Sequence, residues 1–135
     1  MSDDPMRILV VEPTKDPYVK EIDGSLASMQ AIVGGFIQAV EPFDDPNVLL
    51  LCNEEAKLLG LQENRFLRNR NGIPYDIIHG TFFLAQGNGE EFCSLNDKQI
   101  QTYTRLYSRE KLFVMQHGKV INQPKNCLLY TSDAA

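Results

Sequence analysis

Five polar residues stand where a chain can hold a ligand. Glu12 follows one apolar run directly, Asn53 and Glu54 follow another, and Asn64 with Arg65 lies in a polar stretch. Strand ends and loops carry binding groups more often than strand interiors, because a rigid scaffold then positions them. An arginine with two asparagines and a glutamate has the groups to grip a phosphate, a nucleotide or a carboxylate. The same residues also suit a loop-bracing salt bridge and Asx turns, and that plainer reading is preferred. Asp44-Asp45 and Glu54-Glu55 are acidic pairs, but adjacent side chains seldom converge as general acid and base, so both read as turn and surface residues. Glu54 nevertheless stays among the residues expected to bind a ligand or partner.

Other chemistries find weaker support. His79 and His117 are the only histidines, and no H-x-x-x-H or Cys/His cluster surrounds them. A metal needs three or four convergent ligands, so neither a metal nor another cofactor is expected. His79 sits in an apolar run and reads as a satisfied core or sheet-face histidine. Three cysteines, Cys52, Cys93 and Cys127, cannot all pair and have no CxxC spacing, which suits reduced thiols in a cytosol. None has a local signature of a catalytic nucleophile, and a thiol ending an apolar strand is usually buried. Gly34-Gly35 follows a helical pattern rather than opening one, so it is not a phosphate-binding loop.

Composition bounds the class. A chain of 135 residues with 43% hydrophobic residues suits one domain with its own core. No apolar run approaches the ~20 residues of a membrane span, and the acidic start MSDDPMR lacks the basic, apolar pattern of a signal peptide. The net charge of −5 is uneven: residues 1–55 hold eleven acids against three bases, and residues 56–126 hold ten bases against six acids. That argues against a basic face along the whole chain, so nucleic acid is not the expected partner.

The elements that must position these residues follow from periodicity. Residues 7–12, RILVVE, form an apolar run suited to a central strand, and residues 18–22, YVKEI, a more exposed antiparallel partner. Ser25 caps a helix over 25–33 whose stripe is Leu26, Met29, Ile32 and Val33. Gly34, at a positive φ, and Gly35 stop it, and residues 36–40 leave as a strand. Residues 48–52 are a further strand. Residues 54–61 read either as a hairpin return through 57–59 or as a short helix, with Gly60 limiting both. Residues 61–68 read as a short helix or irregular loop. Residues 75–86 are one long β-type run that Gly80 interrupts by a bulge or close backbone approach. Asn96 and Gln99 make a capping box for a second helix with Ile100, Tyr103, Leu106 and Tyr107 on its apolar face. The predicted fold is α+β: one domain over 7–110, a mostly antiparallel sheet of about four to six strands, and the first helix on a face. Its core is expected to include Leu9, Val11, Leu26, Met29, Ile32, Phe36, Val40, Leu50, Ile78 and Phe82. Residues 1–6 are expected to be a loose end, and 111–126 a poorly specified extension.

The blocks RILVVEP, YVKEIDGSL, MQAIVGGFIQAVEPFDD, CNEEAKLLGLQENR and YDIIHGTFFLAQ, with the helix SLNDKQIQTYTRL after them, resemble domain-of-unknown-function family 3846 over residues 7–107. Ala56 departs from that pattern, which usually has glycine there. The resemblance implies a setting and no reaction. Such proteins are carried by phages, plasmids and integrative elements of gut-type bacteria, or sit beside antirestriction domains in larger proteins. The expected function is therefore a non-enzymatic binding protein of a bacterial mobile element, acting in the cytoplasm on a host or element-encoded protein or sequestering a small ligand. The alternative is a small enzyme acting on a nucleotide or phosphorylated small molecule through Glu12, Asn53, Asn64 and Arg65. Residues 127–135, CLLYTSDAA, resemble one reading frame of a common transposase sequencing adapter, and are expected to be a non-native tail.

Overall fold

The apolar run near the N-terminus becomes β1 (Met6–Val11), in which every residue except Arg7 is buried. In the computed structural model, which describes residues 5–87 and 91–108, this strand lies inside a sheet, as a two-sided apolar pattern requires. The other elements are β2 (Tyr18–Ile22), α1 (Leu26–Val33), β3 (Ile37–Val40), β4 (Val48–Asn53), β5 (Glu63–Arg68), β6 (Pro74–His79), β7 (Phe82–Gly87), β8 (Phe92–Cys93) and α2 (Asp97–Leu106). The main sheet has six antiparallel strands in the order β2-β1-β7-β4-β3, with β8 also paired to β7, while β5 and β6 form a separate hairpin. The expected α+β architecture is the one observed.

Side-chain alternation along β1, β4 and β7 divides the interior in two. Ile8, Val10, Leu49, Leu51, Phe83 and Ala85 face α1, where they meet Met29 and Val33. Leu9, Val11, Leu50, Cys52, Phe82 and Leu84 face the opposite way and are covered by Leu67 and Ile78 of the hairpin and by Tyr103 and Tyr107. Burying Met29 and Val33 stabilises the α1 docking by about 1.5–3 kcal/mol for each side chain.

Local signals hold at both helices. The Ser25 hydroxyl accepts from the Ser28 N–H at 3.1 Å, and Asp23 Oδ1 accepts from the Ser25 N–H at 2.9 Å and the Ser28 hydroxyl at 2.6 Å. Gly34 ends the helix at φ 82°, its N–H donating to the Gln30 carbonyl at 2.8 Å. At α2 the Asn96–Gln99 capping box is complete in both directions.

Four expectations need correction. Leu26 and Phe36, placed in the core, are 60% and 66% exposed. The short α1 docks through Met29, Val33 and the half-buried Ile32, leaving its first residue outside, and Phe36 precedes an edge strand. Residues 61–68 contain strand β5 rather than a helix or loop. Register shifts fall between Glu63 and Arg65 and between Leu67 and Arg68 in its pairing with β6; at the first, the consecutive polar side chains Asn64 and Arg65 both turn inward and mask the alternation. The long run 75–86 is two strands of different sheets. Gly80, at φ 78°, makes the corner: its N–H donates to the Gln62 carbonyl at 2.7 Å, and a Cβ there would lie 2.8 Å from Leu61 Cδ1. Residues 54–60 are a run of turns with no return strand, closed by Gly60 at φ 70°. Ala56 is buried within them and its φ is negative, so the alanine carries no left-handed strain. The expected extension and tail, 111–126 and 127–135, lie outside the described residues.

Candidate functional site

Strands β1 and β4 flank β7 and run parallel to each other, so Glu12 and Asn53 emerge at the same end of the main sheet. From there the side chains part. Asn53 turns toward the α1 face, donating from Nδ2 to the Val33 carbonyl at 3.2 Å and accepting the Glu55 N–H at 2.7 Å. It closes the C-terminus of the helix, and a Cβ on Gly35 would approach its Nδ2 to 2.9 Å. Glycine is needed at 35 for that close passage.

Asn64 and Arg65 turn the other way. Asn64 Nδ2 donates to the carbonyls of Val11 at 2.9 Å and Gly80 at 2.8 Å. Arg65 is 1% exposed, and its guanidinium donates to the carbonyls of Tyr107 and Lys15, at 2.8 and 2.6 Å from Nη2, and to Asn64 Oδ1 at 2.7 Å from Nη1. Burial pulls its pKa down to about 10, against the opposing influence of Tyr107 and Asp16, so it remains a cation at neutral pH. These two residues join the end of β1, the β1–β2 turn, the Gly80 corner and the end of α2. Glu12 is more exposed and pairs locally: its carboxylate accepts from the Tyr18 hydroxyl at 2.6 Å and meets Lys15 Nζ at 3.3 Å. The Tyr18 hydrogen bond holds the Glu12 carboxyl below its usual range and raises the Tyr18 phenol to about 12. Glu12, Asn64 and Arg65 therefore gather around one turn, with Asn53 and Glu54 elsewhere.

The more enclosed concavity lies between the two sheets. It measures about 310 Å³ and has β3 and β4 on one side, with Gln38, Val40 and Cys52, and β6 on the other, with Asp76, Ile78 and His79. Glu54, Lys57 and Leu58 from the turns stand at its mouth. Lys57 Nζ donates to Asp76 Oδ1 at 2.8 Å, and this bond holds the Asp76 carboxyl below its usual range. Burial raises the Cys52 thiol, and Asp76 adds to the effect, so it stays protonated and poorly nucleophilic. His79 Nδ1 lies 2.9 Å from the Leu61 carbonyl, which can only accept, so Nδ1 carries a proton and Nε2 is the ring nitrogen left for other chemistry. Among the described residues no group of three or more His, Cys, Asp or Glu side chains is placed to hold a metal ion. A second, wider recess of about 520 Å³ continues past the end of β3, with Glu41, Arg68, Arg70 and Tyr75 on its walls.

Of the five candidate residues, Asn53 and Glu54 line the inter-sheet cleft and the other three do not. Sequence reasoning missed Gln38, Lys57 and Asp76. Their only signal is spatial, since the Lys57–Asp76 pair spans 19 positions and forms when the hairpin packs against β4.

A family model described as "Domain of unknown function (DUF3846)" matches residues 6–108. The chain belongs to that family. Comparison with curated proteins finds no match, and comparison with solved structures finds none either. Among the described residues no helix is long and apolar enough to cross a membrane.

Proposed function

We propose that this protein works by binding, engaging another protein through the cleft between its two sheets. One observation carries the reading: large apolar side chains stand exposed at the cleft and on the strand end next to it. Leu58 at its mouth is 88% exposed, and Phe36 enters the adjoining edge strand largely uncovered. Exposed apolar side chains beside a concavity of mixed polar and apolar lining are what a partner surface needs to desolvate and orient on. The setting suggested by the family resemblance, a phage, plasmid or integrative element in the cytoplasm of a bacterium, makes a host-defence or element-encoded protein the natural partner. The enzyme alternative has less support, because Asn64 and Arg65 commit their donors to backbone carbonyls.

The test is affinity capture from a bacterial host lysate with the wild-type chain and a Phe36→Ser/Leu58→Ser variant, with bound metabolites analysed in parallel. A protein held by the wild type and lost by the folded variant is the expected result. A nucleotide retained equally by both, with no protein, would favour the enzyme.

A further inference from the structure

Strand β3 ends the main sheet, so one of its edges is unpaired among the described residues. The Phe36 carbonyl accepts from the Glu54 N–H at 2.8 Å, and the register continues Gln38 opposite Cys52 and Val40 opposite Leu50. Antiparallel alternation then turns the N–H and C=O groups of Ile37 and Ala39 outward. No charge or proline interrupts residues 36–40, whereas β2 at the opposite edge carries Lys20 and Glu21, the usual protection against strand addition. The face of β3 bearing Gln38 and Val40 forms one wall of the cleft. Among the described residues two carboxylates near this strand lie outside any ion pair: Glu41 directly after Val40, and Glu54, one strand inward across from Phe36, which lines the cleft.

Resting on the binding reading above, we propose that β3 accepts an extended segment of a partner protein as an added strand. That segment carries a basic residue near each end and small or β-branched residues between, its alternate side chains entering the cleft. Main-chain hydrogen bonds to Ile37 and Ala39 hold it, while Glu41 at one end of the edge and Glu54 across the cleft, about 17 Å further back along the strand direction, select its charge. A second copy of this chain fits poorly. Pairing two β3 edges gathers the Glu41 and Glu54 carboxylates of both copies about a seam to which residues 36–41 bring no basic side chain.

Fluorescence anisotropy with labelled hexapeptides tests the proposal. The probes are Lys-Val-Thr-Val-Thr-Lys, the same sequence with glutamate at both ends, and the lysine form N-methylated at alternate amides. The lysine-ended peptide is expected to bind at least about tenfold more tightly than the glutamate-ended one, and N-methylation to abolish binding in both registers tried. Glu41→Gln/Glu54→Gln should remove the preference while leaving the N-methyl sensitivity. Equal binding of both charge forms would overturn the charge selection. No binding of any hexapeptide, by a protein that still captures its lysate partner through Phe36 and Leu58, would overturn strand addition and leave the binding reading standing. A dimer in light scattering that Ala39→Pro dissociates would assign the edge to a second copy and overturn the proposal.

Discussion

Arg65 ties β5 to the β1–β2 turn and to the end of α2 through one planar group, and its loss should be felt in stability before anything else. Arg65→Ala leaves the Tyr107 and Lys15 carbonyls without their donors and opens space beneath the β1–β2 turn. The expected cost is about 2–4 kcal/mol in urea unfolding. Arg65→Lys should recover little of it, because one ammonium cannot reproduce the guanidinium fork. No sequence pattern could have told this role from a ligand clamp. The residue types are the same, and the difference lies in whether the donors meet backbone or solvent. Asp23 supplies a pH test. The Ser28 hydroxyl, followed by the Ser25 N–H, draws its pKa from the ordinary 3.8 down to about 2. A depressed carboxyl pKa contributes stability above the unfolded value that is lost as pH falls through the folded one. The stability of the wild type should therefore decline between pH 3.8 and about 2 by more than that of Asp23→Asn, measured by thermal melts across that window.

At the scale of the element, what the chain announces locally is what the structure reproduces. Ser25, Gly34, Asn96 and Gln99 act within one turn of themselves, so their roles depend on nothing distant. Gly34→Val should cost about 1 kcal/mol or more, since φ is 82° but the space around a Cβ is open. Gly80→Val should cost more, because strain at φ 78° is joined by contact with Leu61. Equal urea midpoints for wild type and Gly34→Val would show that the helix end does not depend on the left-handed residue. Strand β5 was illegible for the opposite reason. Its inward positions include Asn64 and Arg65, whose burial is made tolerable by carbonyls contributed from residues 11, 15, 80 and 107. Hydrophobic periodicity cannot register a strand whose buried sites are polar. Gly80 was visible as an interruption, but that it moves the chain from one sheet to another depends on the Gln62 carbonyl it meets.

The whole molecule is a sheet covered on both faces, by α1 on one side and by the β5–β6 hairpin and α2 on the other. The two-sided apolar strands made that arrangement legible, while the cleft was not, because it belongs to the gap between two sheets. The cleft brings Lys57 to Asp76 and sets the uncharged strand β3, whose outer edge is unpaired among the described residues, near exposed Phe36 and Leu58. The proposed partner is held at that edge. Amide hydrogen exchange, followed residue by residue with and without the lysine-ended hexapeptide, tests it most directly. The outward N–H groups of Ile37 and Ala39 should exchange rapidly in the unbound protein and slow by about tenfold or more when the peptide is present. Unchanged exchange at both residues, with new protection along β2 or around Arg68 and Arg70, would contradict it.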